Sequence, residues 1–509
     1  MPRYAAIDIG SNSVRLLVAE VQADGRIARL AEDREVTRLG ASVFRAGVIS
    51  TEALDFVCNV LARMATIYRP FDPDGIRVVA TAAVRDASNQ QEFLTRASLA
   101  AGAPVEIISG EEEARLIYLG VHSRWPHPKQ RVMVVDIGGG SAEIIVVENG
   151  KLKATWSKAL GAVRLTGVFL RNDPPTELEI RQMHEFIDEK LAPATAKLKR
   201  LKYDRAIATS STAAAMICAV NRIPRARREE GDRLRATLPQ VRKLYAALRA
   251  EDTKARAKIP GIGPRRAEII VPGVAVLLAC MERFKLPSFY YSAAGVRDGI
   301  VADLAARGVG GERSQLSAEQ REVVEQLAAK YAVPARHFRR VAAFGRLLFQ
   351  TLEPLHRLRP DWGRLLEAAA ILYDIGLFVA DTAHHKHSQY LVASSGLPGF
   401  TDRERLLVAQ LCRFHRKSMP GPRHAEFMAL PPDDRRGVQL LVPLLRLADA
   451  CDLSKDQRVS EIACQIAASG VNLQLRGEKV DLEMWAAQRV GEAFQTLYGR
   501  PLTVSRARK

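Results

Sequence analysis

The stretch Val132-Met133-Val134-Val135-Asp136-Ile137-Gly138-Gly139-Gly140-Ser141-Ala142-Glu143-Ile144-Ile145-Val146-Val147 decides the fold. An apolar run that ends in an aspartate, a turn of glycines and a second apolar run predict two strands joined by a tight loop. The same form stands earlier in the chain as Ala6-Ile7-Asp8-Ile9-Gly10-Ser11-Asn12-Ser13-Val14-Arg15-Leu16-Leu17-Val18. Around that first copy, strands at 4–8, 16–21 and 76–80 and a helix over 51–68 give an α/β rhythm. Two related halves predict two similar lobes facing each other across a cleft, where a ligand sits.

Each copy places an aspartate, Asp8 or Asp136, at a strand end, followed by Ser11-Asn12-Ser13 or Gly138-Gly139-Gly140-Ser141. Such turns let backbone N–H groups approach phosphate oxygens closely, while the aspartate can hold a metal ion through water. One glycine turn after a strand reads equally as a plain hairpin; two matched copies favour the phosphate site. Glu143 follows one strand step beyond the second loop. It reads either as a solvated strand residue or, because it leads into Ile144-Ile145-Val146-Val147, as a carboxylate facing the cleft. In Ser109-Gly110-Glu111-Glu112-Glu113-Ala114-Arg115, Ser109 can cap a helix and Glu112 can complete a capping box. The competing reading turns one of the three acids into the cleft to take a proton from an attacking water.

Further out, helical spacing runs over 176–200 and 238–250, with another small-residue turn at Thr209-Ser210-Ser211-Thr212 between them. The Gly/Arg/Ser stretch at 306–314 marks a domain boundary. Helices are expected over 317–331, with Ser317 as N-cap, and over 336–352, 364–373 and 402–414, with a short strand pair near 471–484. The 509 residues are too many for one core, which rarely exceeds roughly 250–300 residues. At 47% hydrophobic and 26% charged residues the chain is expected to fold throughout. No secretory pattern opens it, and its longest apolar run, 271–280, is half the roughly 20 residues that span a bilayer, so neither secretion nor a membrane span is expected. Six scattered cysteines without a CxxC pair read as reduced core thiols in a cytoplasmic protein. The formal charge of +18 favours polyanionic partners, or reflects an arginine-preferring proteome. Only 6% aromatic residues and no zinc finger or RNP-type segment argue against specific nucleic-acid recognition.

The two aspartate loops, Ile107-Ile108-Ser109-Gly110 with Glu112 to Ile117, Thr81, Arg85, Gly161-Ala162-Val163-Arg164-Leu165, Arg266-Ala267 and Gly295-Val296-Arg297-Asp298-Gly299 resemble the exopolyphosphatase / guanosine pentaphosphate phosphohydrolase (Ppx/GppA) family. The resemblance covers residues 1 to about 310. It implies an α/β fold of two actin-like (ribonuclease-H-like) lobes, at 1–125 and 126–308, followed by an all-α HD-like C-terminal domain at 315–509. It also implies Glu113 as general base, Asp136 and Glu143 around a magnesium ion and the attacked phosphate, Arg85 as an electrostatic contact, and a homodimer. With Asp8 as a further metal carboxylate, the expected set is Asp8, Asp136 and Glu143 for Mg2+, and Ser11, Asn12, Ser13, Arg85, Gly138, Gly139, Gly140 and Ser141 for phosphate. Magnesium and loop amides supply the positioning and charge neutralisation that phosphoryl transfer needs.

Two departures stand out. Where the family tends to have Ser-Gly-Thr, this chain has Ser210-Ser211-Thr212, and the side chain of Ser211 is expected to crowd the backbone approach. The HD hallmark gathers a histidine, a His-Asp pair and a later aspartate on one metal. His337 and Asp449 match it, but the pair reads Tyr373-Asp374, so a degenerate HD fold without a catalytic metal is expected. His384-His385-Lys386-His387 and Arg413-Phe414-His415-Arg416-Lys417 read either as anion-binding surface or as ordinary exposed helix ends. The leading expectation is therefore an exopolyphosphatase releasing orthophosphate from inorganic polyphosphate. Guanosine pentaphosphate (pppGpp) hydrolysis is the alternative. A non-hydrolytic alarmone sensor fits poorly with an intact Glu113, and a sugar kinase lacks its acceptor-binding insertion.

Overall fold

In each copy the segment before the small-residue turn forms a strand and the segment after it folds back antiparallel. Arg3–Ile9 (β1) pairs with Val14–Val21 (β2), placing Asp8 opposite Arg15. β2 pairs with Ile27–Glu35 (β3), while Gly75–Ala80 (β4) lies parallel to β1 and Val105–Ile107 (β5) parallel to β4. The order is β3-β2-β1-β4-β5. In the second copy Arg131–Ile137 (β6) pairs with Ala142–Glu148 (β7), placing Asp136 opposite Glu143. Lys151–Lys158 (β8), Arg205–Thr209 (β9), Arg235–Thr237 (β10) and Ser288–Tyr291 (β11) complete a sheet ordered β10-β11-β9-β6-β7-β8. Apart from the added edge strand β10, this repeats the first sheet, and the pair are the two ribonuclease-H-like lobes of an actin-type fold.

The computed structural model describes residues 1–22, 25–198, 200–307 and 314–507 and divides into two units, Met1–Ala306 and Arg307–Lys509. Most of the expected boundary stretch, residues 308–313, lies outside the described residues. In the first unit, the helix Thr51–Tyr68 is capped by Ser50 and turns Leu54, Val57, Leu61, Met64 and Tyr68 onto the first sheet at the helical period. The apolar run at 271–280 becomes the helix Ile270–Arg283, buried all round against the second lobe's core, as a helix without a polar face must be. Among the described residues no helix is long and apolar enough to cross a membrane.

The second unit packs the helices Ala318–Lys330, Ala335–Thr351, Asp361–Leu372, His384–Ser394, Asp402–Phe414 and Pro432–Ala450 around one core. Ser317 caps the first of them in a full capping box with Gln320. The expected strand pair at 471–484 is corrected. Strands run over Val459–Ala467 (β12), Gly470–Gly477 (β13) and Leu502–Arg506 (β14), and Asp481–Gln488 is a helix. Two cysteines also depart from the core reading, since Cys58 and Cys464 are only half-buried.

Candidate active site

The two turns are built alike. Gly10 N–H donates to the Ser13 carbonyl at 3.1 Å, and Gly138 N–H to the Ser141 carbonyl at 3.0 Å. They also meet: a Cβ on Gly139 would stand 3.1 Å from the Asn12 nitrogen, and one on Gly140 2.5 Å from Ser11 Oγ. Only glycine lets the second turn close on the first. The helix Ala162–Phe169 takes up the second turn's carbonyls, with Ala162 N–H on Gly138 O, Val163 N–H on Gly139 O and Arg164 Nε on Gly140 O. On the first turn, Gly40 N–H donates to Ser11 O and Thr37 N–H to Asn12 O. Because N–H lies antiparallel to C=O in a planar peptide, the amides that follow these carbonyls point the opposite way.

Asp8, Asp136, Glu113 and residues 10–13 and 138–141 line one cleft between the lobes. Glu143 stands beside Asp136 by strand register and is 1% exposed; its Oε1 accepts from Ser157 Oγ at 2.8 Å. The three consecutive glutamates have three fates, because a helix turns about 100° per residue. Glu111 is exposed. Ser109 caps the helix as expected, its Oγ accepting from Glu112 N–H at 3.1 Å, while the Glu112 side chain pairs with Arg77 and Arg115 in a buried network with Asp303. Glu113, 8% exposed, enters the cleft with Oε2 at 3.5 Å from Arg85 Nη1, and that guanidinium also donates to Ile108 O at 2.6 Å.

Burial pushes all four carboxyls up. Asp136 rises to about 8, with Glu143 adding to the effect, and Glu143 to about 7. Asp8 is raised by burial against the opposing pull of Arg15 and Arg297. Glu113 is raised well above the carboxylate range by burial and then by Glu143, while Arg85 opposes. Glu113 Oε2 and Glu143 Oε2 are buried without a hydrogen-bond partner. Crowded carboxylates with unsatisfied oxygens form an all-oxygen donor set, which suits a hard divalent cation.

Composition pointed to a polyanion partner without naming the cations. Arg15, Arg228, Arg266 and Arg297 line the cleft, and a recess that shares Asn12, Ser211, Arg228 and Arg266 with it adds Arg34, Arg225 and Arg265. Among the described residues no carboxylate ion pair holds Arg15, Arg34, Arg228 or Arg266; Arg15 Nη2 donates to Ser211 Oγ at 2.5 Å and Arg266 Nη1 to Thr212 Oγ1 at 3.4 Å. Burial and the guanidiniums of Arg15 and Arg228 push Arg266 down to about 9. A signal for Arg15 was present, since it occupies in the first copy the position that Glu143 holds in the second. Ser211 proves to be a hydroxyl partner for Arg15. The residue with the left-handed backbone is its neighbour Ser210, at φ 85°.

In the second unit His337 Nε2 and Asp449 Oδ1 each lie 2.6 Å from the Tyr373 hydroxyl, which stands between the two residues that match the HD hallmark. His384, His385 and His415 are buried, so these histidines are not part of an exposed helix end, whereas Lys386, Arg416 and Lys417 are exposed.

Known proteins agree with the geometry. The profile of the Ppx/GppA phosphatase family matches residues 17–307, and that of Ppx/GppA phosphatase domain III matches residues 320–488. A guanosine-5'-triphosphate,3'-diphosphate pyrophosphatase of Vibrio vulnificus (strain YJ016) is 29% identical over 419 residues, 82% of this chain and 81% of that protein. The crystal structure of the Aquifex aeolicus member of the Ppx/GppA family is 29% identical, with TM-score 0.52, over 60% of this chain and 97% of its own. An exopolyphosphatase from Cytophaga hutchinsonii is 25% identical, with TM-score 0.55, over 59% of this chain and 97% of its own. With two matched turns closing on a carboxylate cluster, the chain belongs to the Ppx/GppA phosphatase family and is a hydrolase of phosphoanhydride bonds.

Proposed function

We propose that the cleft releases orthophosphate from the end of inorganic polyphosphate. The observation that carries this reading is a carboxylate cluster continuous with Arg15, Arg34, Arg228 and Arg266, which no carboxylate ion pair holds among the described residues. A linear polyanion brings one charge per phosphate and can engage several guanidiniums in succession. Glu113, raised by burial, takes the proton of a water that attacks the terminal phosphorus in line. Arg85 keeps that carboxylate oriented, and the turns at 10–13 and 138–141 offer N–H groups to the phosphoryl oxygens. Asp8, Asp136 and Glu143 form the donor set for a divalent cation, magnesium by family resemblance; when bound, it supplies positive charge against the phosphoryl oxygens. The unpartnered Oε2 of Glu143 and the raised neighbouring carboxyls fit such a cation.

Guanosine pentaphosphate is the second reading, favoured by the name of the Vibrio vulnificus relative. Phosphate release from long-chain polyphosphate and from pppGpp, measured with purified protein in magnesium, decides between them. The proposal expects Glu113→Gln to lower turnover on either substrate by roughly 100- to 10,000-fold. It expects the higher kcat/KM on polyphosphate. Wild-type turnover in Glu113→Gln would remove the base, and activity confined to pppGpp would replace the substrate.

A further inference from the structure

The closed HD-hallmark position has a neighbour that is built differently. On the other side of Tyr373, Asp374 meets His384 and His415, and all three are buried. The two imidazoles face each other through Nε2 atoms 3.2 Å apart, and Asp374 Oδ1 stands 3.6 Å from the first and 4.0 Å from the second. His415 Nδ1 lies 2.8 Å from the Cys412 carbonyl and His384 Nδ1 lies 3.1 Å from the Asp381 carbonyl. A carbonyl only accepts, so His415 Nδ1 donates to Cys412 and its Nε2 is left free to accept. His384 Nδ1 also has Arg416 Nη1 at 3.2 Å, and that guanidinium lies 3.4 Å from His384 Nε2. Lys455 Nζ donates to Asp374 Oδ2 at 2.7 Å, so it is Oδ1 that faces the imidazoles.

We propose that Asp374, His384 and His415 bind one divalent transition-metal ion of the zinc class. The point equidistant from the three facing atoms, separated by 3.2, 3.6 and 4.0 Å, lies about 2.1 Å from each, the length of a zinc–imidazole or zinc–carboxylate bond. Two imidazole nitrogens and one carboxylate oxygen select a borderline cation over magnesium, which prefers oxygen throughout. The backbone carbonyls behind both rings are the outer partners that fix ligand orientation, while Lys455 is a cation competing for the carboxylate. The same three residues line a cleft of about 770 Å³, which gives the ion a path in and leaves it a coordination position facing that cleft. This set shares only Asp374 with the hallmark that Tyr373 closes, so a tyrosine at 373 is compatible with a metal in this unit.

The test uses the full chain, stripped with a chelator, reloaded with zinc and desalted into excess magnesium so that the carboxylate cluster of the first unit holds no zinc. Metal analysis and zinc titration calorimetry are expected to give about one zinc per chain in the wild type. His384→Ala and His415→Ala are expected to weaken that binding by at least roughly tenfold, and cobalt loading to give ligand-field bands of a nitrogen-ligated site that both variants lose. Should either alanine variant fail to fold by circular dichroism, Lys455→Ala decides, because it leaves the ligands intact, removes the cation competing for Asp374, and should bind zinc more tightly than wild type. Wild-type zinc affinity in both histidine variants overturns the site. So does a wild type and Lys455→Ala that retain no zinc in magnesium.

Discussion

Arg85 sits beside Glu113 and opposes the influences that raise its carboxyl, burial first and then Glu143, Asp8 and Asp136. A cation beside an acid favours the carboxylate, so removing Arg85 lifts the carboxyl further and leaves less of the base form at neutral pH. Arg85→Gln should therefore move the ascending limb of the kcat profile to higher pH. Rates measured across pH 6–10 check this, and an unmoved limb would detach Arg85 from Glu113. Glu113 also shows how far a residue type can be read. Three adjacent glutamates announced that one acid was spare, but which one enters the cleft depends on where the helix Gly110–Arg124 is rotated by its packing. Arg77, distant in sequence, claims Glu112 together with Arg115 one helical turn on.

At the scale of elements, the glycine turn is a contact surface. A Cβ on Gly140 would lie 2.5 Å from Ser11 Oγ, 2.7 Å from the Phe44 ring and 2.8 Å from Ala82 Cβ. Gly140→Ala must push the two turns apart, and a displacement near 1 Å in a phosphoryl-transfer site costs on the order of 100-fold in rate. The expected result is that loss in kcat/KM with a nearly unchanged melting temperature, read by phosphate release beside calorimetry. In the second unit, the helix Asp402–Phe414 begins with a capping box in which Glu404 also meets Arg307 and Arg364. Those guanidiniums hold its carboxyl down from 4.5 to about 2, against burial. Because the folded value lies below the unfolded one, the stabilisation is complete above the unfolded value and is lost as pH falls toward 2; the shift corresponds to about 3 kcal/mol. Glu404→Gln should be less stable at pH 7 by roughly that amount and should show a shallower loss of stability between pH 4.5 and 2 in urea titrations. The strands around both aspartate turns were legible because their apolar runs and glycines are local signals. The segment 481–484 was misassigned because its apolar residues continue a strand pattern, while the helix is fixed by docking on the unit's core.

For the whole molecule, the excess of positive charge was plain from composition, but its placement was not. Arg15, Arg34, Arg228 and Arg266 come from four separate segments and meet at one cleft and its recess. If they hold successive phosphates, Arg266→Gln should raise KM for long polyphosphate by several-fold and leave KM for short chains close to wild type. Rising salt should weaken long-chain binding more in the wild type than in the variant, since screening acts on the charges that the variant has lost. Equal KM changes at all chain lengths would confine Arg266 to the first phosphate.

By itself the sequence determined the duplicated lobe, the pair of aspartate turns and the chemistry they serve, because strand period, glycine punctuation and residue type act over a few neighbouring residues. Tertiary structure decided which glutamate faces the cleft, where the arginines gather and that His384, His415 and Asp374 converge. Those outcomes depend on contacts between segments tens to hundreds of residues apart, for which no local pattern carries a signal.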